Sequence, residues 1–437
     1  MEHLKLIRGA LRILPLFLSR ALHRQFSAFL QRWTYKALPD AKNVVVLGGS
    51  FAGLPLVDGL AATLPTGYKV VFIEKNSHIN FLFAFPRFSV VPGYEHTAFI
   101  PYDGIAKGAP AGLVTRIQDT AVGLTETHVR LASGREIEYE YLAIATGSSQ
   151  PLPVQVSSTE LVPGCRELQS VQQSIKASQK IAVVGAGAVG VQLSTDIKSF
   201  NPEKDVTLIH SRSQILNSFG KRLHDHVLPI LQNEYKIRVL LNERPQLPKD
   251  RGLLRDQKIT FADGHEEAFD LVMACTGQRP NSAFLAPLAP DAISKETSRI
   301  LVKPTLQVVN APSPRIFAFG DVADTGGPKM GRAGLFQGYV VLDNILAMIH
   351  GRAPSATYAP RYNVEGSITL TLGKARGVMY SQDDPDATSD VLIPTRGKGV
   401  DLGIAHAWGF MFNADFKQAK EGAKLLAESE SEAAGNS

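Results

Sequence analysis

The sequence predicts an α/β protein built from two similar doubly wound units and a smaller C-terminal α+β domain. Three observations predict it. Lys180–Ile197 reads KIAVVGAGAVGVQLSTDI, an apolar strand passing through Gly185, Gly187 and Gly190 into a helix with Val189, Leu193 and Ile197 at helical spacing. Asn43–Gly53 reads NVVVLGGSFAG, the same strand and turn, with Gly48 and Gly53 in the first and third places and Ser50 in the middle one. The parts that follow each turn then recur in the same order, up to Thr146-Gly147 in the first copy and Thr276-Gly277 in the second.

A glycine triplet between a strand and a helix is the fingerprint of dinucleotide binding. The first glycine permits the tight turn, the second lets the backbone approach a pyrophosphate, and the third lets helix and strand pack closely. The helix N-terminus adds free N–H groups and a positive dipole end for the phosphates. Two copies imply two dinucleotide-binding domains in one chain.

Length and composition set the limits. The chain has 437 residues, 44% of them hydrophobic, enough for two or three domains. Its only cysteines, Cys165 and Cys275, form no C-x-x-C, which supports neither a dithiol redox pair nor a cysteine zinc site. No metal site is expected. The net charge of +5 belongs to residues 1–40, where Lys5, Arg8, Arg12, Arg20, Arg24, Arg32 and Lys36 face only Glu2 and Asp40. The rest is balanced, so charge makes no case for nucleic acid.

In chain order, residues 1–40 form a basic amphipathic segment. Ile7, Leu11, Leu14, Leu18, Leu22, Phe26 and Phe29 recur at helical spacing, with Lys5, Arg8, Arg12, Arg20 and Arg24 on the other side. Pro15 is expected to kink or break that helix. The uncharged run between Arg12 and Arg20 is too short to cross a bilayer, which takes about 20 residues. The segment reads as a mitochondrial transit peptide or as an interfacial membrane-binding helix. The alternative is a helix packed on a cytoplasmic protein. The residue after Met1 is Glu2, not the glycine that N-myristoylation requires, so no myristoyl anchor is expected.

Residues 41–150 form the first dinucleotide unit. Its second strand, Lys69–Glu74, ends in an acid where a ribose 2′-hydroxyl would be bound. Residues 151–279 form the second unit, whose matching strand ends in His210-Ser211-Arg212 with no acid. Such an acid would repel a 2′-phosphate, whereas the planar, always charged Arg212 can grip one, so NADPH is expected to serve at least as well as NADH. Residues 280–352 return to the first unit through Arg315–Asp321, RIFAFGD, followed by a helix from about Leu335 to His350. Residues 353–424 form the C-terminal domain, with strand-like runs and the aromatic cluster Trp408, Phe410 and Phe412. The polar tail, residues 425–437, is expected to be disordered.

Together, VVVLGGSFAG with IEKN, YLAIATGS, VVGAGAVGV, PEKDVTLIHS, ACTGQRPNS and FAFGDVADTGGPKM resemble the apoptosis-inducing-factor-like flavoproteins. The likeness is strongest to the ferroptosis-suppressor (AMID) branch of FAD-dependent NAD(P)H:quinone oxidoreductases, and more distant to type II NADH dehydrogenases. It covers residues 42–430 or so. It implies a glutathione-reductase-like fold with FAD on the first unit, NADPH or NADH on the second, and a quinone or other small-molecule acceptor. By the resemblance, Gly48, Gly49, Ser50, Phe51, Ala52, Gly53 and Glu74 would hold the FAD pyrophosphate and ribose. Thr146 and Gly147 would lie beside the FAD, and Gly320-Asp321 would bind its ribitol or phosphate. Gly185, Gly187, Gly190 and His210 would hold the nicotinamide nucleotide, with Thr276 and Gly277 beside it. Lys329 is placed close to the flavin ring.

One departure stands out. Where the family has an acid, two residues after the last glycine of the second fingerprint, this chain has Gln192, which can hydrogen-bond a nicotinamide carboxamide but carries no charge. The chemistry of hydride transfer belongs to the flavin and needs no protein nucleophile, in keeping with the lack of a cysteine pair. Two other readings stay open: a soluble flavoenzyme tailoring a phenolic or quinonoid metabolite, and a redox-gated binding protein in an apoptosis-like pathway. The sequence leaves the oligomeric state open.

Overall fold

The computed structural model describes residues 2–248 and 252–435. Helix α1 (Glu2–Thr34) leads into the first sheet. Its strands are β1 (Lys42–Leu47), β2 (Tyr68–Glu74), β3 (Val114–Gln118) and β4 (Tyr141–Ile144), with helix α2 (Gly53–Thr63) after β1 and a single turn, α3 (Phe85–Phe88), after β2. Helix α4 (Leu161–Ala177) precedes the second sheet, of β5 (Lys180–Val184), β6 (Asp205–Ile209), β7 (Arg238–Leu240), β8 (Leu253–Thr260) and β9 (Glu266–Ala274). Helix α5 (Ala188–Phe200) follows β5. The chain then returns to the first sheet as β10 (Ile316–Ala318) and continues in α6 (Gly331–Ile349).

The sheets repeat one plan. The first has the order β10-β4-β1-β2-β3, all parallel. The second has the order β7-β6-β5-β9-β8, parallel except for the β8–β9 pair. In both, the strand before the glycine turn is central. Side chains alternate across a strand, and here both faces are covered. Val44 and Val46 enter one core and Val45 and Leu47 another. Ile181 and Val183 are likewise separated from Ala182 and Val184. Burial on both faces is why these strands are continuous apolar runs.

The C-terminal part is an antiparallel sheet of β11 (Ile368–Leu372), β12 (Arg376–Gln382) and β13 (Asp390–Arg396), then helices α7 (Ile404–Phe412) and α8 (Ala419–Gly435). Ile368, Leu370 and Leu372 share a core with Val191 and Leu193 of α5.

Two expectations are corrected. The tail, expected to be disordered from residue 425, is helical to Gly435. Its sparse apolar positions Ala419, Gly422 and Leu426 are buried, Gly422 lies against Leu161, and Arg166 and Gln169 of α4 bond Ser429 and Glu430. Docking on α4, not composition, decides its state. Pro15 does not break α1, which runs through it. The helix is held on both sides of the proline. Glu2 accepts from the Leu392 N–H at 3.1 Å, and Arg20 grips Asp343. Among the described residues no helix is long and apolar enough to cross a membrane.

Candidate active site

In the first unit, β1 ends at Leu47 and the chain turns through Gly48, whose φ of +101° suits glycine alone. A Cβ at Gly53 would run into the Gly48 carbonyl, which accounts for the third glycine of the motif. Gly49 donates its N–H to the carboxylate of Glu74 at the end of β2, and the Asn76 N–H reaches the same side chain at 2.9 Å. Burial pushes the Glu74 carboxyl above its ordinary value, and these two N–H groups pull it back. Tyr102 donates to the Gly49 carbonyl at 2.8 Å from the other side.

Other parts converge on this loop. Ala52 lies against Gly320 and Gly334, and Phe51 against Gly331, at the start of α6. Phe51 also packs its ring on Phe83 at 4.8 Å, Phe412 at 6.0 Å and Phe81 at 6.1 Å. Thr146 donates to the Asn281 carbonyl and Asn281 Nδ2 returns a bond to Thr146 O, both at 2.9 Å. Gly147 has a φ of +64° with open space where a Cβ would stand. Asp321 accepts from Gln278 at 2.8 Å, and Gln278 also bonds Ser148. Burial raises the Asp321 carboxyl, opposed first by the charge of Lys329. Lys329 donates to the carbonyl of Ala323 at 2.9 Å and to Thr325 at 3.3 Å. Burial, then Arg299, lowers its pKa.

The second unit copies the turn. Gly185 has a φ of +113°, and a Cβ at Gly190 would meet the Gly185 carbonyl. A Cβ at Gly187 would meet no protein atom, so the glycine there leaves room for something outside the chain. His210 directly follows β6 and accepts the Ala186 N–H at Nδ1, 3.2 Å away. It therefore stands in the second unit as Glu74 stands in the first. An imidazole accepting at Nδ1 carries its proton at Nε2, and burial keeps the ring neutral by lowering its pKa. Arg212 is exposed. Thr276 and Gly277 follow β9, with the Thr276 methyl against Gly185. Gln192 is half-buried on the first turns of α5.

Residues 42–338 match the model of one family, described as pyridine nucleotide-disulphide oxidoreductase. The chain belongs to that family. Among its relatives, Fe-regulated protein 8 of Mycosarcoma maydis is 32% identical over 390 residues, covering 84% of this chain and 94% of that protein. Ferroptosis suppressor protein 1 of Homo sapiens is 30% identical over 387 residues, covering 85% and 96%. A solved sulfide:quinone oxidoreductase from Aquifex aeolicus shares the fold, with a TM-score of 0.68 at 19% identity, over 87% of this chain and 92% of that one. As a pyridine nucleotide-disulphide oxidoreductase related to the ferroptosis suppressors, the protein is an FAD-dependent NAD(P)H oxidoreductase.

The donor set fits both nucleotides. The first unit offers loop N–H groups and a buried carboxylate already aimed at the loop; the second offers loop N–H groups, an imidazole in that place and open space at Gly187. Despite the family's name there is no disulphide. Cys165 and Cys275 are unpaired, and burial pushes both thiols up. Gln278 and Asn281, which bond Asp321 and Thr146, escaped sequence reasoning although they stand beside Thr276-Gly277. Their proximity in the chain was the available signal. The buried ion pair of Arg87 on α3 with Asp196 on α5, at 2.8 Å, was also missed, and no sequence motif marks it.

Proposed function

We propose that the enzyme takes hydride from NADPH or NADH at the second unit and delivers the electrons, at a membrane surface, to a lipophilic acceptor of the quinone type. FAD, when bound, accepts the hydride and passes the electrons on. The observation that carries this reading is the duplicated junction, Glu74 on the Gly49 amide and His210 on the Ala186 amide.

The residues have distinct tasks. Gly48, Gly49, Ser50, Phe51, Ala52 and Gly53 cradle the FAD pyrophosphate. Glu74 holds a ribose with the lone pairs left free by its two N–H donors. Asp321, oriented by Gln278, binds the ribitol side, and Thr146 and Gly147 flank the flavin. Gly185, Gly187 and Gly190 receive the second pyrophosphate, His210 and Arg212 its ribose end, and Thr276 and Gly277 lie alongside. Lys329 is anchored on Ala323 and Thr325. That anchoring supports a task in ordering the loop after Asp321 as well as a charge near the ring.

The acceptor class is supported by the rings of Phe51, Phe81, Phe83 and Phe412 beside the first loop, with Phe83 53% exposed. Aromatic faces suit a flat, apolar ring system. Membrane contact is supported by α1, on which Leu11, Leu14, Leu18, Leu22, Phe26 and Phe29 are exposed.

The test is the visible spectrum of the purified protein. A flavin spectrum that bleaches on adding NADPH without oxygen and recovers on adding a short-chain quinone is the expected result. A colourless protein, or a flavin that NADPH and NADH both fail to bleach, counts against the reading.

A further inference from the structure

A cleft of about 440 Å³ lies between the loop after α3 at Tyr94, the start of α7 at Ile404, and the start of α8 with the turn before it. Neither the flavin loop nor the nucleotide loop contributes to it. Its volume is that of a small-molecule site. The walls are apolar and firmly held. Tyr94 stacks on Phe88 with ring centroids 5.7 Å apart, and Phe416 meets the buried Trp408 edge-on at 5.4 Å. Trp408 in turn donates Nε1–H to the Thr97 carbonyl at 2.8 Å. Ala419 and Ala423 line the α8 side, and Gly422 between them lies against Leu161 and His96. The cleft is thus a gap between packed elements. It is also separate from the acceptor's rings. Ile404, Trp408 and Phe412 share one face of α7. Ile404 lines the cleft at one end, and Phe412 meets Phe51 and Phe81 at the other, about 12 Å along the helix.

Four charged residues line the cleft as well, Asp401, Asp415, Lys417 and Lys420. The acids are already engaged by the chain. Asp401 accepts the Gly403 N–H at 3.1 Å, and Asp415 accepts the Lys417 N–H at 3.0 Å. Lys417 and Lys420 are exposed, and among the described residues neither ammonium has a hydrogen bond or an ion pair. Helix α8 begins at Ala419, so its positive end opens on the same cleft.

We propose that the cleft is a second ligand site, and that it takes a fatty-acid anion. The hydrocarbon chain lies against Tyr94, Ile404, Phe416 and Ala423, and the carboxylate meets Lys417 and Lys420 at the rim. Charge selects the head group. Two unpaired ammonium donors and a helix N-terminus favour an anion, whereas a cationic amphiphile would meet carboxylates that already hold backbone N–H groups. The walls select the body, since aromatic and alanine surfaces offer an alkyl chain burial but no hydrogen bonds. The lysine stems extend that apolar surface to the rim. Binding here is independent of the nucleotide and of the electron acceptor.

The experiment is fluorescence titration of the purified flavoprotein with dodecanoate, below the onset of micelles. The background is Trp33→Phe, in which Trp408 is the one remaining tryptophan. A saturable change in Trp408 emission is expected. Lys417→Gln with Lys420→Gln should weaken binding about threefold to tenfold, the worth of one or two exposed ion pairs. Dodecanol, which has no charge, should bind more weakly than dodecanoate by a similar factor. Ala423→Phe, which puts a ring into the cleft, should abolish the saturable change. If that variant does not fold, the lysine variant and dodecanol decide. No saturable change, dodecanol bound as tightly as dodecanoate, or undiminished binding by either variant overturns the inference. None of these outcomes touches the nucleotide reading, because neither NADPH nor quinone is present.

Discussion

His210 accepts the backbone N–H of Ala186 at Nδ1, across 3.2 Å, in the place where Glu74 accepts from Gly49 in the first unit. The two units therefore share a scaffold and differ in the charge it presents. A carboxylate accepts from ribose hydroxyls and repels a 2′-phosphate; a neutral imidazole does not repel one. Changing His210→Glu should restore the repulsion. We expect kcat/KM with NADPH to fall about tenfold or more, the scale of one charge-dependent contact, with NADH affected far less. Steady-state kinetics with both nucleotides checks this, and an equal fall for both would refute it.

Arg212 is exposed beyond the same strand end. A guanidinium there is free to take a phosphate with two N–H groups. Arg212→Ala should cost on the order of tenfold in efficiency with NADPH, a charge-assisted contact of about 1.5–3 kcal/mol, and little with NADH. A wild type that strongly prefers NADH, or equal losses, would count against it.

Gly53 cannot accept a side chain without displacing the Gly48 carbonyl. Gly53→Val should open the helix–strand junction under the pyrophosphate and strip the flavin. The readout is FAD released on denaturation per mole of folded protein. Full loading in a folded variant would sink the assignment of FAD to this loop.

Asp196 also gives a pH dependence of stability. Its carboxyl lies at about 6 in the folded protein against an ordinary 3.8. A raised folded value means the group favours folding at pH below the ordinary value, and that contribution is lost as pH rises through about 6. The stability of wild type relative to Asp196→Asn should thus decline across this window, by roughly 3 kcal/mol at most. Other carboxyls titrate in both proteins and cancel. Urea unfolding at several pH values measures it, and a pH-independent difference refutes it.

The duplicated units were legible because their turns depend on local chemistry. Gly48 and Gly185 sit at positive φ, and Gly53 and Gly190 meet a carbonyl, so glycine is required and leaves a pattern. Glu74 and His210 were legible because a strand of known length puts the residue at its C-terminal end, or the one just after it, beside the loop. The Arg87–Asp196 pair was not, since it joins a single helical turn to a helix of another unit, and no spacing marks that meeting. The C-terminal helix was not either, because three small or apolar positions of α8, buried where it docks beside α4, outweigh a polar composition. For α1 the periodicity revealed a stripe but not which side the body takes.

That side decides the last prediction. Phe17 packs on Phe336 at 5.6 Å, Arg20 binds Asp343 and stacks over Tyr339, and Gln31 donates to the Leu64 carbonyl at 2.8 Å. These contacts turn Leu11, Leu14, Leu18, Leu22, Phe26, Phe29 and Trp33 away from the protein, and Leu22, Phe26 and Trp33 are 65%, 63% and 80% exposed. A row of that kind on a basic helix suits the headgroup region of an anionic bilayer. Replacing Leu22, Phe26 and Trp33 by serine removes apolar area that the fold does not bury. Thermal stability should therefore change by about 0.5 kcal/mol or less per site, with flavin content and activity on a water-soluble quinone intact. Co-sedimentation with anionic vesicles should fall severalfold. Phe17→Ala, on the docked face and partly buried, should do the reverse and lower stability by about 1–2 kcal/mol. If the serine variant pelleted with vesicles as well as wild type does, α1 would not be the membrane contact.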